Sequence, residues 1–406
     1  MRILAVYRGL PWPIWEGYHL RVLHLFRRIR RRHEVHLLGL VHAKEQEAQL
    51  PPLQAEGIFS SITVQWLPKR SVAGRLRTNL GLDPPAALKA EYPGFGPRLR
   101  RLVQDLVQRH GIQCGYVFDP WADVLFTDAQ LVPTLLDVCD CRSFYYRRRL
   151  ERGQLSPYQR LRTRQLLKRF EALERYTLQQ YPVATVVSPA DRDGLLQLEP
   201  NARVEIIPNG VDLDMFAPQR QIEEQPGNLI LFGNMDFLPN ADAAIRFARE
   251  ILPKVRKTHP EATFTIVGTN PLPHVRALAQ EIPGVEVTGR VDDLKPWIAR
   301  ASMLVAPIRF GAGIKNKVLE TMAMEKPVVC SATSVEAMNE DVAALVQLAD
   351  SDADFAVAVA RLLDDPARRH ELGRRGRAAM QQHHSWDTAA SRYEALLEEL
   401  SVMARS

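Results

Sequence analysis

The sequence predicts an α/β protein made of two Rossmann-like domains, each a parallel sheet flanked by helices. Short apolar runs alternate with amphipathic runs along almost all of the 406 residues, the pattern of strands joined by crossover helices. The runs form two series, separated by RVEIIPNGVDLDMFAPQRQIEEQPGN, a stretch rich in Pro, Gly and charge that reads as a domain junction. A chain of 406 residues also has apolar material for two cores.

Candidate strands of the first series are RILAVY, HEVHLLGLV, ITVQWL, CGYVFDP, TLLDVCD and ATVVS. Those of the second are LILFGN, FTIVG, VEVTG, MLVAPI, KPVVCS and AALVQL. The predicted domains are residues 1–205 and 206–384, followed by a helix over 385–406. That last helix carries Trp386, Tyr393, Leu396, Leu397 and Leu400 at roughly helical spacing and must pack an apolar stripe. No short-period repeat is present, which argues against a solenoid.

The net charge of +6 conceals an asymmetry. Residues 1–205 hold 31 Lys+Arg against 20 Asp+Glu, a balance of +11, which leaves 22 against 27, or −5, for residues 206–406. The excess lies in FRRIRRR, RSFYYRRRLER and RLRTRQLLKR, where aromatic or leucine residues interleave with arginine. Such stretches suit an anionic membrane surface or an anionic acceptor, the alternative for each being a solvated helix face. No zinc-finger spacing or RNA-binding aromatic signature accompanies the charge, so nucleic acid is not an expected partner. Cys114, Cys139, Cys141 and Cys330 show no repeated metal-ligand spacing and read as buried thiols of a reducing cytoplasm. The start, MRILAVYRGLPWP, is too short in apolar residues for a signal peptide, and no run reaches the roughly 18–20 apolar residues of a membrane span.

The richest segment is APIRFGAGIKNKVLETMAMEKPVVCS, Ala306 to Ser331. Gly311 and Gly313 allow backbone N–H groups to converge without Cβ interference, and a helix follows at once. Lys315 and Lys317 add cationic charge where the helix dipole is already positive, so a diphosphate would be held by three effects together. Val318, Leu319 and Met322 share one helix face, while Asn316, Lys317 and Glu320 share the other, which turns Glu320 from the core. A carboxylate beside a polyanion site suits the hydroxyls of a ribose. The alternative is a glycine turn opening an ordinary amphipathic helix.

GAGIKNKVLETMA with the following KPVV resembles the family-4 glycosyltransferases, retaining enzymes of the GT-B fold that use nucleotide sugars. The turn Pro208-Asn209-Gly210 with Val211-Asp212 strengthens the resemblance. It implies two Rossmann-like domains facing across a cleft, with the last helix crossing back to the N-terminal domain. It also implies donor contacts from Gly311, Gly313, Ile314, Lys315, Asn316, Lys317 and Glu320. Many members carry a second glutamate near position 312; Ala312 stands there, as in a subgroup with a G-x-G-x-K-x-K-x-x-E pattern.

Ligands of open α/β sheets sit beyond the carboxyl ends of strands, which directs attention to five further segments. Gly17 resembles the family's glycine loop beside the donor diphosphate, and His19 and Arg21 follow it as acceptor-side candidates or plain surface polarity. Asp137 and Asp140 lie at or beyond the end of TLLDVCD, where family members place a residue close to the sugar. Asp140, farther beyond the apolar run, is the preferred catalytic candidate with Lys315 and Glu320; local ion pairing is the alternative. Ser188 and Asp191 read as a helix cap. Gly233 and Asn234 follow LILF, where the family often has cations; their absence draws attention to Lys315. Arg290 and Val291 follow VEVTG, where the resemblance implies contacts with the base.

The expected function is retaining transfer from a nucleotide-diphosphate sugar to a carbohydrate or lipid-linked acceptor, in polysaccharide or glycolipid synthesis. No cofactor or metal is expected. A nucleotide-sugar epimerase is the main alternative, and a binding module without chemistry is another. An NAD-type oxidoreductase is weaker, because RGLPWP rather than G-x-G-x-x-G follows the first strand. The expected location is the cytoplasm, with peripheral contact at an anionic membrane.

Overall fold

The computed structural model describes residues 1–12, 17–80, 83–118, 122–152, 155–311, 314–338 and 340–403. It divides into two compact units, Met1–Ile207 with Trp386–Ser406, and Pro208–Ser385.

The first unit holds a sheet of seven strands: β1 (Arg2–Arg8), β2 (Glu34–Val41), β3 (Ser61–Trp66), β4 (Cys114–Phe118), β5 (Thr134–Cys139), β6 (Val183–Val186) and β7 (Val204–Ile206). Their spatial order is β3-β2-β1-β4-β5-β6-β7, and every pairing is parallel. Strand β1 is central, with Ile3 opposite both Val35 and Cys114, and Ile3 to Val6 are wholly buried. Burial on both faces explains its unbroken apolar run. Strand β7 corrects the sequence reading, which assigned RVEII to the junction. It is three half-buried residues at a sheet edge, too short to show a period.

The helix Trp386–Met403 belongs to this first unit. Trp386, Ala389, Ala390, Tyr393, Leu397 and Leu400 form its buried stripe. It lies against the helix Gly17–Ile29, where the His24 ring stacks on Trp386 with centroids 5.1 Å apart.

The second unit holds β8 (Asn228–Phe232), β9 (Thr263–Val267), β10 (Val285–Gly289), β11 (Met303–Ala306), β12 (Val328–Cys330) and β13 (Gln347–Leu348). Their order is β10-β9-β8-β11-β12-β13, again all parallel. Strands β8 and β11 are buried throughout, and Phe247 packs against Phe264 and Phe355 to close one face. Of the predicted run AALVQL only the last two residues are strand; Ala343 ends the helix Glu340–Ala343.

Each sheet reverses direction once. Successive strands move outward from β1 to β3 and then from β4 to β7; in the second unit they move from β8 to β10 and then from β11 to β13. The crevices beyond the carboxyl ends of β1 and β4, and of β8 and β11, are therefore the places where this architecture receives ligands. All four cysteines are free and buried. Among the described residues no helix is long and apolar enough to cross a membrane.

Candidate functional site

The second unit assembles a polar cluster at the carboxyl ends of β8 and β11. Gly233, directly after β8, has φ 138°, and a Cβ there would lie 2.9 Å from the Asn240 amide nitrogen and 3.5 Å from Lys317 Nζ. Gly268, directly after β9, approaches so closely that a Cβ would sit 1.7 Å from the Gly233 carbonyl oxygen. Only glycine fits either position. The Asn240 side chain bridges this turn to the next element: its Nδ2 donates to Asn234 O at 2.9 Å, and its Oδ1 accepts from Lys317 Nζ at 2.6 Å. Lys317 thus stands where the sequence showed no cation after LFGN. Lys315 turns back instead, its Nζ 3.2 Å from the Cβ position of Gly311. Gly313 lies outside the described residues.

The helix Asn316–Ala323 presents this chemistry because its faces are segregated. Val318, Leu319 and Met322 enter the core, while Asn316, Lys317 and Glu320 are half-buried on the other side. Glu320 is turned from the apolar core yet shielded from solvent. Burial pushes its carboxyl up to about 7 against the pull of Lys317. Burial, reinforced by Lys315, lowers the Lys317 ammonium to about 8, with Glu320 opposing. The PNG turn reaches the same helix start: Asn209 Nδ2 donates to Asn316 Oδ1 at 3.2 Å, and Asn209 O lies 3.1 Å from His384 Nδ1. That link joins residues 107 positions apart and left no local signal in the sequence.

Other predicted donor residues are spread along the same edge of the sheet. Asn234 is exposed, and its Oδ1 accepts from Thr269 Oγ1 at 3.2 Å. Arg290 is exposed and Val291 half-buried beyond β10, two strands from β8. Ile314 is half-buried and packs partly against the core. Arg309, the cation closest to Gly311 in sequence, is bound by Asp242 through Nε at 2.9 Å.

In the first unit Arg21 and Asp137 require correction as acceptor-side candidates. Both are fully buried and face each other, Arg21 Nε donating to Asp137 Oδ2 at 3.0 Å. Tyr116 Oη and Thr185 Oγ1 also donate to Asp137, at 2.7 and 3.1 Å, while Arg21 donates to Tyr393 Oη and to Ile207 O. Burial opposes the Arg21 charge, but Asp137 and Tyr393 hold the guanidinium above its ordinary range. Asp137 lies inside β5, not at its end. These groups tie the last helix to the sheet and leave no surface for an acceptor.

Asp140 is placed differently. It is half-exposed, directly beyond β5, on a turn in which Cys139 takes a left-handed φ of 62°. Gly17 opens the helix Gly17–Ile29, and His19 in its first turn meets the Tyr7 ring edge-on at 5.8 Å. Ser188 caps the helix Pro189–Leu196 through the Asp191 amide, as the spacing predicts. Asp191 does more than the sequence showed, since its Oδ1 also accepts from Cys141 N. Among the described residues no three His, Cys, Asp or Glu side chains are placed to hold a metal ion.

Residues 226–365, which contain this polar cluster, match the family model of group 1 glycosyl transferases. The second unit is a group 1 glycosyl transferase domain. The chain has curated relatives in the lipopolysaccharide core biosynthesis mannosyltransferase LpcC of Rhizobium leguminosarum bv. viciae, 29% identical over 45% of this chain and 55% of that protein. The D-inositol 3-phosphate glycosyltransferase of Kribbella flavida is 27% identical over 47% of this chain and 49% of its own. The chain thus spans about half the length of the curated relatives it matches. Among solved structures, sucrose-phosphate synthase from Thermosynechococcus elongatus superposes with TM-score 0.70 and 17% identity, covering 100% of both chains. Anabaena HepE in complex with UDP gives TM-score 0.66 and 16% identity, covering 98% of this chain and 100% of that one. The fold is that of the GT-B glycosyltransferases, and the glycosyl transferase domain supplies its second Rossmann-like unit.

Proposed function

We propose that the protein is a retaining glycosyltransferase that moves a sugar from a nucleotide-diphosphate sugar to a carbohydrate or lipid-linked acceptor in polysaccharide or glycolipid synthesis. One observation carries the reading: Lys317, Glu320 and the Gly233 turn meet at the strand-order reversal of the second sheet. The lysine and the start of the helix Asn316–Ala323 face the diphosphate, and Glu320 accepts from ribose hydroxyls. As the glycosidic bond breaks, negative charge grows on the nucleoside diphosphate, so these groups favour the transition state over bound donor. The names of the relatives agree with sugar transfer, and HepE has been solved with UDP. The test is a screen of nucleotide sugars for binding, hydrolysis and transfer, with the anomeric configuration of the product read by NMR. Absence of nucleotide binding overturns the reading; isomerised donor without transfer favours an epimerase.

Peripheral contact with an anionic membrane at its cytoplasmic face belongs to the same reading, and the pattern of paired and exposed charge supports one helix, rather than the FRRIRRR stretch, as the point of contact. The FRRIRRR stretch is largely neutralised: Arg28 and Arg31 pair with Asp387 at 3.1 and 3.3 Å, Arg32 pairs with Glu394, and Arg27 pairs with Glu56. The first turns of the helix Pro157–Gln180 instead expose Tyr158 (70%) and Leu161 (59%) among Arg160, Arg162 and Arg164. Apolar tips set among arginines suit the interface of an anionic bilayer.

A further inference from the structure

We propose that Glu174 and Asp191 are positioning residues that set Asp140 for the acceptor side of the transfer, an inference that rests on the glycosyltransferase reading above. The turn beyond β5 is irregular. Cys139 occupies the left-handed region, which side chains seldom adopt, and the pairing of β5 with β6 slips between Asp137 and Cys139. Such a conformation persists only where its surroundings determine it.

Here they do so amide by amide. Asp140 N returns to Val138 O at 2.8 Å. Cys141 N donates to Asp191 Oδ1 at 3.0 Å, Arg142 N to Glu174 Oε1 at 2.6 Å, and Ser143 N to both Glu174 oxygens at 3.2 and 3.3 Å. The helix Arg142–Arg152 therefore begins on carboxylates delivered by two other helices, Pro157–Gln180 and Pro189–Leu196. A helix start is ordinarily served by its own preceding Ser, Thr, Asp or Asn, which stays solvated. Glu174 and Asp191 are instead buried, a costly place for a carboxylate. Burial pushes Glu174 up to about 7, with the Ser143 and Arg142 donors opposing. Capping from two separate helices fixes where the turn stands relative to both, which a local cap does not.

The residue so placed is Asp140. It remains half-exposed directly beyond β5, the neighbour of β4, which is one of the two strands at the order reversal of the first sheet. A small cavity lined in part by Asp123, Asp137, Asp140, Arg142 and Glu174 lies at the turn. In this arrangement Asp140 accepts a hydrogen bond from a hydroxyl of the acceptor, and Glu174 acts on it only through the backbone.

The test uses the full chain with a nucleotide sugar and acceptor that it turns over. Misplacing a reacting group by about 1 Å costs roughly 100-fold, so Glu174→Ala should lower kcat for transfer by about that factor while donor KM and nucleotide binding stay constant. Glu174→Gln keeps an acceptor oxygen for the Arg142 and Ser143 amides and should recover most of the rate. Asp140→Asn with Glu174→Ala should be no slower than Asp140→Asn alone. Unchanged transfer in Glu174→Ala, or losses that multiply in the double variant, overturn the positioning role while leaving the glycosyltransferase reading intact. If Glu174→Ala does not fold, Asp191→Ala, which removes the acceptor of the Cys141 amide, must show the same kcat loss at constant donor KM, and its absence refutes the brace. A wild-type protein that binds no nucleotide sugar refutes both readings.

Discussion

Lys317 Nζ donates to Asn240 Oδ1 at 2.6 Å, which places a lysine from the helix after β11 at the turn after β8. Two segments 77 residues apart thereby share one cation. The sequence pointed to Lys315 as the compensation for the missing cations of LFGN; the geometry favours Lys317.

Lys317→Ala is accordingly expected to depress turnover more than Lys315→Ala. A hydrogen bond to a charged group is worth about 1.5–3 kcal/mol, so the expected loss is roughly 10- to 100-fold in kcat, with a smaller rise in donor KM. Steady-state kinetics of the two variants check this. A larger loss in Lys315→Ala reverses the assignment.

Glu320→Gln should weaken donor binding, since a ribose hydroxyl gains about 1.5–3 kcal/mol from a carboxylate and about 1 from an amide. The pH profile follows from the shifted groups. Glu320, with its carboxyl near 7, must lose its proton to accept from the ribose, so affinity falls as pH drops below about 7. Lys317, with its ammonium near 8, must keep its proton to meet phosphate, so affinity falls as pH rises above about 8. Nucleotide affinity measured by calorimetry should peak between these values. Glu320→Gln should remove the acidic limb and Lys317→Met the basic one.

Arg21→Leu should destabilise the protein by about 3–5 kcal/mol, the usual result of stripping the partner from a buried charge. Replacing Arg21 and Asp137 together by apolar residues should cost less than the sum of the single changes. Denaturant unfolding of the three variants measures the coupling. Normal stability with a specific loss of acceptor affinity would restore Arg21 to the acceptor side.

Reversing charge at Arg160, Arg162 and Arg164 should release the protein from anionic vesicles, each basic residue contributing about 1 kcal/mol near such a surface. Reversal at Arg28 and Arg31, which are already paired with Asp387, should matter less. Co-sedimentation with anionic and neutral vesicles at low and high salt decides the matter. Equal recovery with both lipids would favour a soluble acceptor as the partner of the basic surface.

Much of this architecture is written in local pattern. Buried strands such as Leu229–Phe232 and Met303–Ala306 are continuous apolar runs because both faces of a parallel strand are covered, and this signal needs no partner to be read. The split of Val318, Leu319 and Met322 from Asn316, Lys317 and Glu320 follows from helical period alone. Tertiary structure decided which polar groups are spent on one another in the core and which stay half-buried beyond the strand ends. Arg21 and Asp137 looked as available as Lys317 and Glu320, yet they lie 116 positions apart and close on each other inside the first unit. Asp191 read only as part of the cap with Ser188 and Glu174 carried no local signal, and only the return of two helices to the turn after β5 gave their carboxylates the amides of Cys141 to Ser143. Hydropathy and period report how a residue meets water and its near neighbours in the chain. Pairing between distant charges depends on strand order, which no single segment contains.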